Sequence, residues 1–292
     1  HCNKALFKKA ATMTSLSRHP VHFSFEFAAP KSDEALAKLA KTHERLQALN
    51  PHFFSVTYGA GGSTRDGTRQ AVLDISAAGS NVAPHLSFGG DNATKIGALL
   101  KDYQAAGINR VVALRGDIPS GMGSVKLTYA NDLVSFIREQ TGDHFHIEVA
   151  AYPEIHPDSR SVEADLAFFK AKVDAGANSA ITQYFYNAEA YFRFIDACDK
   201  LAISIPIVPG IMPITNYQTL VRFSDTCGAD IPRWIRKHLE SYQDDPESLK
   251  AFGEDVVTRL CQQLLDAGAP GLHFYTLNQS GPTLKLWRNL GL

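Results

Sequence analysis

The sequence predicts a (β/α)8 TIM barrel, and three observations carry the prediction. Eight short runs rich in β-branched and aromatic residues punctuate the chain, segments of helical period separate them, and the length of 292 residues modestly exceeds the roughly 250 usual for that fold. The same alternation is compatible with an open doubly wound sheet. A strand count of eight favours the barrel.

The expected strands, in order, are 22–27, 53–59, 81–88, 110–116, 146–153, 179–185, 205–211 and 271–277. Each is near-continuously apolar, as befits strands covered on both faces. Between them, residues 32–50 read as a helix opened by Ser32, with Leu36, Leu39, Leu46 and Leu49 near one face and Asn50-Pro51 as its end. Further helical stretches run over 93–107, 161–176, 187–202 and 245–268. Gly107, Gly176 and Gly268 stand where a left-handed residue closes a helix. The length beyond a minimal barrel fits an insertion around 231–245, between the last two strands. No Gly-, Ser- or Pro-rich linker divides the chain, so residues 20–292 are expected to form a single barrel. Residues 1–19 lack the apolar core of a signal peptide and read as a tag-like or disordered segment.

Composition narrows the function classes. The chain is 45% apolar and 20% charged, and 29 Lys+Arg against 30 Asp+Glu leave a net charge of −1. That balance argues against nucleic acid, whose binding rests on a basic surface. No apolar run reaches the roughly 20 residues that span a bilayer, and apolar content is too high for a disordered chain. Cys2, Cys198, Cys227 and Cys261 are scattered without a CxxC pair, which suits reduced thiols in a cytoplasmic protein better than disulfides or zinc. A handler of small molecules remains.

In a barrel, chemistry collects at the C-terminal strand ends, and reactive side chains do collect there. Glu26 ends the first strand, Thr57-Tyr58-Gly59 the second, and Arg115-Gly116-Asp117 the fourth. His85 lies on the third, Tyr152 ends the fifth with Glu154 and His156 beyond it, and the sixth carries Gln183. The last ends near Tyr275 and Asn278. Glu26 stands between Phe25 and Phe27, so desolvation is expected to raise its pKa toward a general acid's range. A structural ion pair at the strand rim is the plainer reading. Asp117 would supply a second carboxylate at the same mouth. Arg115 offers a planar fork for phosphate, and Gly116 a close backbone approach. RGD as an adhesion motif would need an exposed loop. Gly59-Ala60-Gly61-Gly62 fails the dinucleotide spacing because Thr64 takes its last position. His85, His156, His144 and His146 lack metal-ligand spacing, so no metal is expected.

The blocks FSFEF, SVTYGAGGSTRD, APHL, ALRGD, AAYPEIHPD, VDAGANSAITQYFY, PGIMPITNY and HFYTLN together resemble the methylenetetrahydrofolate reductase family, closest to its bacterial single-domain type. The resemblance spans nearly the whole chain from about residue 20, in order. It implies a barrel holding FAD, reduced by NADH or NADPH, that passes hydride to 5,10-methylenetetrahydrofolate and yields 5-methyltetrahydrofolate by a ping-pong route. It makes Glu26 the acid that protonates N10 of the folate and sets Asp117 close to flavin and pterin. The implied FAD contacts are Thr57, Tyr58, Ala60, His85, Arg115, Gly116, Asp117, Tyr129, Ala130, Tyr152, His156, Asp165 and Lys172. Gln183, Phe223, Thr219 and Gln279 fall at positions facing folate or reductant. Thr219 and Gln279 depart from the family's glutamine and basic residue there, and Phe168 replaces a polar residue facing the adenosine.

The resemblance further implies a homo-oligomer serving one-carbon metabolism and methionine synthesis, without the regulatory domain of eukaryotic relatives. Two rivals are a cofactor-free barrel hydrolase using Glu26 and Asp117 as its carboxylate pair, and a flavin- or folate-binding protein without turnover. Flavin absorbance separates the first from the reductase, and folate-dependent turnover separates the second.

Overall fold

A computed structural model describes residues 18–58, 62–88, 92–115 and 129–292. Strands β1 (His22–Phe27), β2 (Phe53–Val56), β3 (Val82–Ser87), β4 (Arg110–Leu114), β5 (His146–Ala151), β6 (Ser179–Thr182), β7 (Ile207–Val208), β8 (Gly210–Ile211) and β9 (Gly271–Tyr275) alternate with helices. All pair in parallel, in the order β7-β6-β5-β4-β3-β2-β1-β9-β8. The N-terminal segment expected to be tag-like or disordered lies outside the described residues up to position 17.

The strand expected over 205–211 is two segments. Pro209 parts β7 from β8, because it brings no N–H to a ladder. β7 pairs with β6 while β8 pairs with β9. One stretch of chain therefore joins both ends of the sheet, and the barrel closes where an open sheet would leave two edges. At this seam a Cβ on Gly210 would lie 2.1 Å from the Thr182 carbonyl oxygen and 2.7 Å from the Tyr275 hydroxyl. Only glycine lets the split strand pass so close.

The helices are α1 (Asp33–Gln47), α2 (Gly62–Ala77), α3 (Ala93–Ala105), α4 (Ala130–Thr141), α5 (Val162–Asp174), α6 (Ala188–Lys200), α7 (Tyr217–Cys227), α8 (Arg233–Ser241), α9 (Pro246–Asp266) and α10 (Ser280–Asn289). Their starts follow the sequence signals: Ser32, Asn92, Ser161, Asn187, Asn216 and Asp245 each accept a hydrogen bond from a first-turn backbone N–H. Leu39 and Leu46 of the expected α1 seam are buried, and Leu36 and Leu49 pack partly buried against the same core. The expected insertion is α8, set between α7 and α9. Among the described residues no helix is long and apolar enough to cross a membrane.

Two cores result from the period of two along each strand. Phe25, Phe27, Phe54 and Phe274 belong to the large core beneath the helices. The alternate residues Phe53, Ala83, Val112 and Ile181 form a separate small cluster, the apolar plug of the barrel interior. Polar groups lie beyond that plug toward either mouth.

Candidate active site

Glu26 is the centre of the C-terminal mouth. Its strand neighbours Phe25 and Phe27 point outward, so Glu26 shares the inner face with Ser24 and meets side chains of adjacent strands. Register sets Glu26 opposite Ser55 of β2 and Tyr275 of β9. Ser55 Oγ donates to Glu26 Oε2 at 3.1 Å. His85 Nε2 lies 3.1 Å and His273 Nε2 3.4 Å from the same oxygen. An ionised carboxylate only accepts, so Nε2 of His273 carries a hydrogen, and its Nδ1 accepts from Ser24 Oγ at 2.7 Å. Ser24, His273 and Glu26 thus form a hydrogen-bonded line, with His85 on its other side.

This geometry corrects the sequence expectation for Glu26. Burial alone does push its carboxyl upward. The charge of His85, then the hydrogen bonds from His273 and His85, outweigh that and hold it well below the usual carboxylate range. The flanking phenylalanines suggested an apolar pocket, but they lie on the opposite face of the strand.

The loops after β1 and β9 hold this carboxylate in place. Thr276 Oγ1 donates to the Glu26 carbonyl at 2.6 Å. The Asn278 amide grips Ala28 twice, accepting from its N–H at 2.8 Å and donating to its carbonyl at 2.9 Å. Leu277 and Asn278 both take positive φ, 50° and 59°, a conformation asparagine tolerates better than most residues.

A second group of residues lies at the ends of β4 and β5 and along α5. Arg115 Nη1 donates to the exposed Asp158 at 3.1 Å. The Tyr152 and His156 rings meet edge to face at 4.6 Å, and His156 Nδ1 accepts from the Asp158 N–H. Asp165, 9% exposed, accepts from Ser159 Oγ at 2.7 Å. Lys172, also 9% exposed, donates to the Ala150 carbonyl, and its ammonium lies over the Tyr152 ring. Burial brings its pKa down to about 8, with Asp165 acting in the opposite sense. Among the described residues no carboxylate comes within ion-pair distance of it. A buried ammonium without a counter-ion fits an anionic ligand such as a pyrophosphate.

Other sequence-predicted residues divide clearly. Thr57 Oγ1 accepts from the Ala29 N–H at 3.0 Å, so it fastens one rim loop to another. Tyr58 lies beneath the Arg65 guanidinium. Tyr129 and Ala130 form the start of α4. Gln183 lines a cleft with Tyr152, Glu154, Tyr184 and Cys227. Thr219 and Phe223 lie on α7, and the Thr219 N–H is taken by the Asn216 cap. Gln279 is exposed at the start of α10. Ala60, Gly116 and Asp117 lie outside the described residues. Sequence reading did not single out Ser24, Ser55, His273 and Thr276. The usable signal was the period of two, which puts Ser24 on the face of Glu26 and His273 on that of Tyr275.

Comparison with known proteins completes the picture. The family model for methylenetetrahydrofolate reductase matches residues 12–291. The chain is 39% identical over 273 residues to the 5,10-methylenetetrahydrofolate reductase of Escherichia coli (strain K12), covering 93% of this chain and 91% of that protein. It is 39% identical over 289 residues to methylenetetrahydrofolate reductase (NADH) 1 of Arabidopsis thaliana, covering 92% of this chain and 48% of the plant protein. Among solved structures, an uncharacterized protein from Clostridium thermocellum that binds two copies of 5-methyl-5,6,7,8-tetrahydrofolic acid has a TM-score of 0.67 at 17% identity, over 95% of this chain and 96% of that one. That likeness shows a shared fold. Sequence similarity along nearly its full length shows that the chain belongs to the methylenetetrahydrofolate reductase family of oxidoreductases.

Proposed function

We propose that this chain reduces 5,10-methylenetetrahydrofolate to 5-methyltetrahydrofolate with electrons from NADH or NADPH, relayed in ping-pong fashion by FAD. The observation that carries the reading is Glu26 in its ring of Ser55, His85 and His273 at the barrel mouth, in a chain of this family. Bound there, the flavin would accept hydride from the nicotinamide and deliver it to the folate.

The residues of the chain supply binding and proton handling. Lys172 and Arg115 suit the pyrophosphate, and Asp165 a ribose hydroxyl. Tyr152, whose ring meets His156 edge to face, lines one cleft with Gln183, an amide suited to the folate's ring edge. Thr219, Phe223 and Gln279 are our candidates for contacts with folate or nicotinamide, and Asp117 for orienting the pterin. Glu26 delivers a proton to N10 of the folate, which opens the imidazolidine ring. The neighbouring His85 and His273 favour the ionised carboxylate in the open mouth, and folate covering the mouth would remove the water that also favours it, so that the carboxyl can carry the proton to N10. We place the enzyme in the cytoplasm, as a homo-oligomer serving one-carbon metabolism.

Anaerobic stopped-flow spectroscopy with Glu26→Gln tests the acid. Flavin reduction by NADH or NADPH should persist, while reoxidation by methylenetetrahydrofolate should slow by roughly 10²- to 10⁴-fold, the usual scale for a general acid. Wild-type reoxidation in the variant would remove Glu26 from the chemistry. Purified protein that takes up no FAD would sink the flavin reading.

A further inference from the structure

Helix α7 carries Thr219 and Phe223, yet a narrow face holds it to the barrel. Of its eleven residues only Leu220 and Ser224 are buried, one turn apart on one side of the helix. Leu220 contributes apolar burial, which has no direction. Ser224 contributes a directional contact: its Oγ lies 2.8 Å from the hydroxyl of Tyr184, just beyond β6, and both residues are 3% exposed. Two hydroxyls buried against each other cannot part without leaving both unsatisfied, so this bond fixes the rotation of α7 about its axis. Tyr217, near the start of the helix, donates instead to Glu240 of α8, away from the strands.

The backbone of Tyr184 acts on the facing element. Its N–H donates to Oε1 of Gln183 at 3.0 Å, and the Gln183 N–H donates to the Ala151 carbonyl at 2.8 Å. The Gln183 amide is thereby held at its oxygen, and among the described residues its nitrogen is left to donate. Gln183 and Phe223 are the chain neighbours of the two bonded residues. One buried bond therefore sets the placement of the ring on α7 relative to the amide on β6.

We infer that Tyr184 is a positioning residue: bonded to Ser224, it holds α7 so that Phe223 and Gln183 keep the spacing a folate ring requires. The inference rests on the folate reading above and adds the link between two of its proposed contacts. Tyr184 touches no reacting atom in this role. It acts on affinity, through the placement of its neighbours.

Calorimetric titration of the FAD-loaded full chain with 5-methyltetrahydrofolate, beside stopped-flow reoxidation by methylenetetrahydrofolate, tests this. Tyr184→Phe should weaken binding, and raise the half-saturating methylenetetrahydrofolate concentration, by roughly ten-fold, the scale of one buried hydrogen bond. The saturating reoxidation rate should hold, since the loss falls equally on bound substrate and transition state. Ser224→Ala should behave alike. Each single variant strands a buried hydroxyl and should melt lower. The double variant, Tyr184→Phe with Ser224→Ala, strands none and should melt close to the wild type, while its folate affinity stays as weak as that of the singles. Wild-type affinity in the double variant would make the pair a packing contact and overturn the inference. Unchanged affinity in Tyr184→Phe, or a saturating rate that falls in step with affinity, would overturn it too. Each of these outcomes leaves the folate reading standing. Wild-type protein that neither binds 5-methyltetrahydrofolate nor is reoxidised by methylenetetrahydrofolate removes that reading and this inference with it.

Discussion

His273 is fully buried on the inner face of β9, and its two ring nitrogens face Ser24 and Glu26. Its orientation is therefore set by a hydroxyl two residues before the carboxylate it serves. Ser24→Ala would leave Nδ1 a buried acceptor without a donor, a loss of about 1–3 kcal/mol of stability. It would also free the ring to turn from Glu26. We expect folate-dependent flavin reoxidation to slow roughly ten-fold, the rate equivalent of about 1.4 kcal/mol, with flavin reduction unaffected. Stopped-flow traces in which both half-reactions fall together would reduce Ser24 to a packing residue. The sequence exposed Glu26 readily, because a carboxylate in an aromatic strand is conspicuous. It concealed the partners, because Ser24, Ser55 and His273 are ordinary residues until the parallel register sets them side by side. The error over the Glu26 pKa has the same origin: sequence neighbours in a strand face opposite ways.

At the scale of elements, the loop after β9 is a brace for the loop after β1. Asn278 makes both bonds to Ala28 and takes positive φ, while Thr42 Oγ1 of α1 donates to the Asn278 carbonyl at 3.2 Å. Alanine at 278 would lose both amide bonds and suffer the backbone conformation. Asn278→Ala should cost about 2 kcal/mol and lower the melting temperature by several degrees, together with a weaker folate half-reaction. Calorimetry showing an unchanged melt would mean that the brace contributes nothing. The strands themselves were legible, all eight within a few residues, because strands covered on both faces need long apolar runs. The break at Pro209 needed knowledge of where the sheet closes. Helices with clean caps, such as those at Ser32, Ser161 and Asp245, were equally legible. Helix α8 was expected only as an insertion, since its identity depends on packing Ile235 and Leu239 inward from an otherwise polar segment.

For the whole molecule, the opposite mouth of the barrel sets the response to acid. There Arg110 Nη1 donates to Glu148 Oε1 at 2.5 Å, and Arg110 Nη2 donates to His52 Nε2 at 2.9 Å. His22 stacks on His52 at 4.0 Å, and His146 and Ser179 both face Glu148. Burial, then the charges of Arg110 and His22, push His52 down to about 4 from its ordinary 6.5. Burial raises Glu148, but the His146 hydrogen bond and the Arg110 charge outweigh it and leave its pKa at about 2 against an ordinary 4.5. Both folded values are depressed, so in each case the unfolded chain binds protons first as pH falls. The stability tied to His52 is complete above 6.5 and drains between 6.5 and 4. The part tied to Glu148 is complete above 4.5 and drains toward 2. Acid should therefore destabilise the barrel in two overlapping stages, starting in mildly acidic solution. His52→Gln retains an acceptor for Arg110 but has no proton to gain. Its melting temperature should fall less than the wild type's between pH 6.5 and 4, and in parallel with it below. Equal slopes for both proteins across the upper window would show that His52 takes up its proton as readily in the folded barrel as in the unfolded chain, and would assign the acid response to the carboxylates alone.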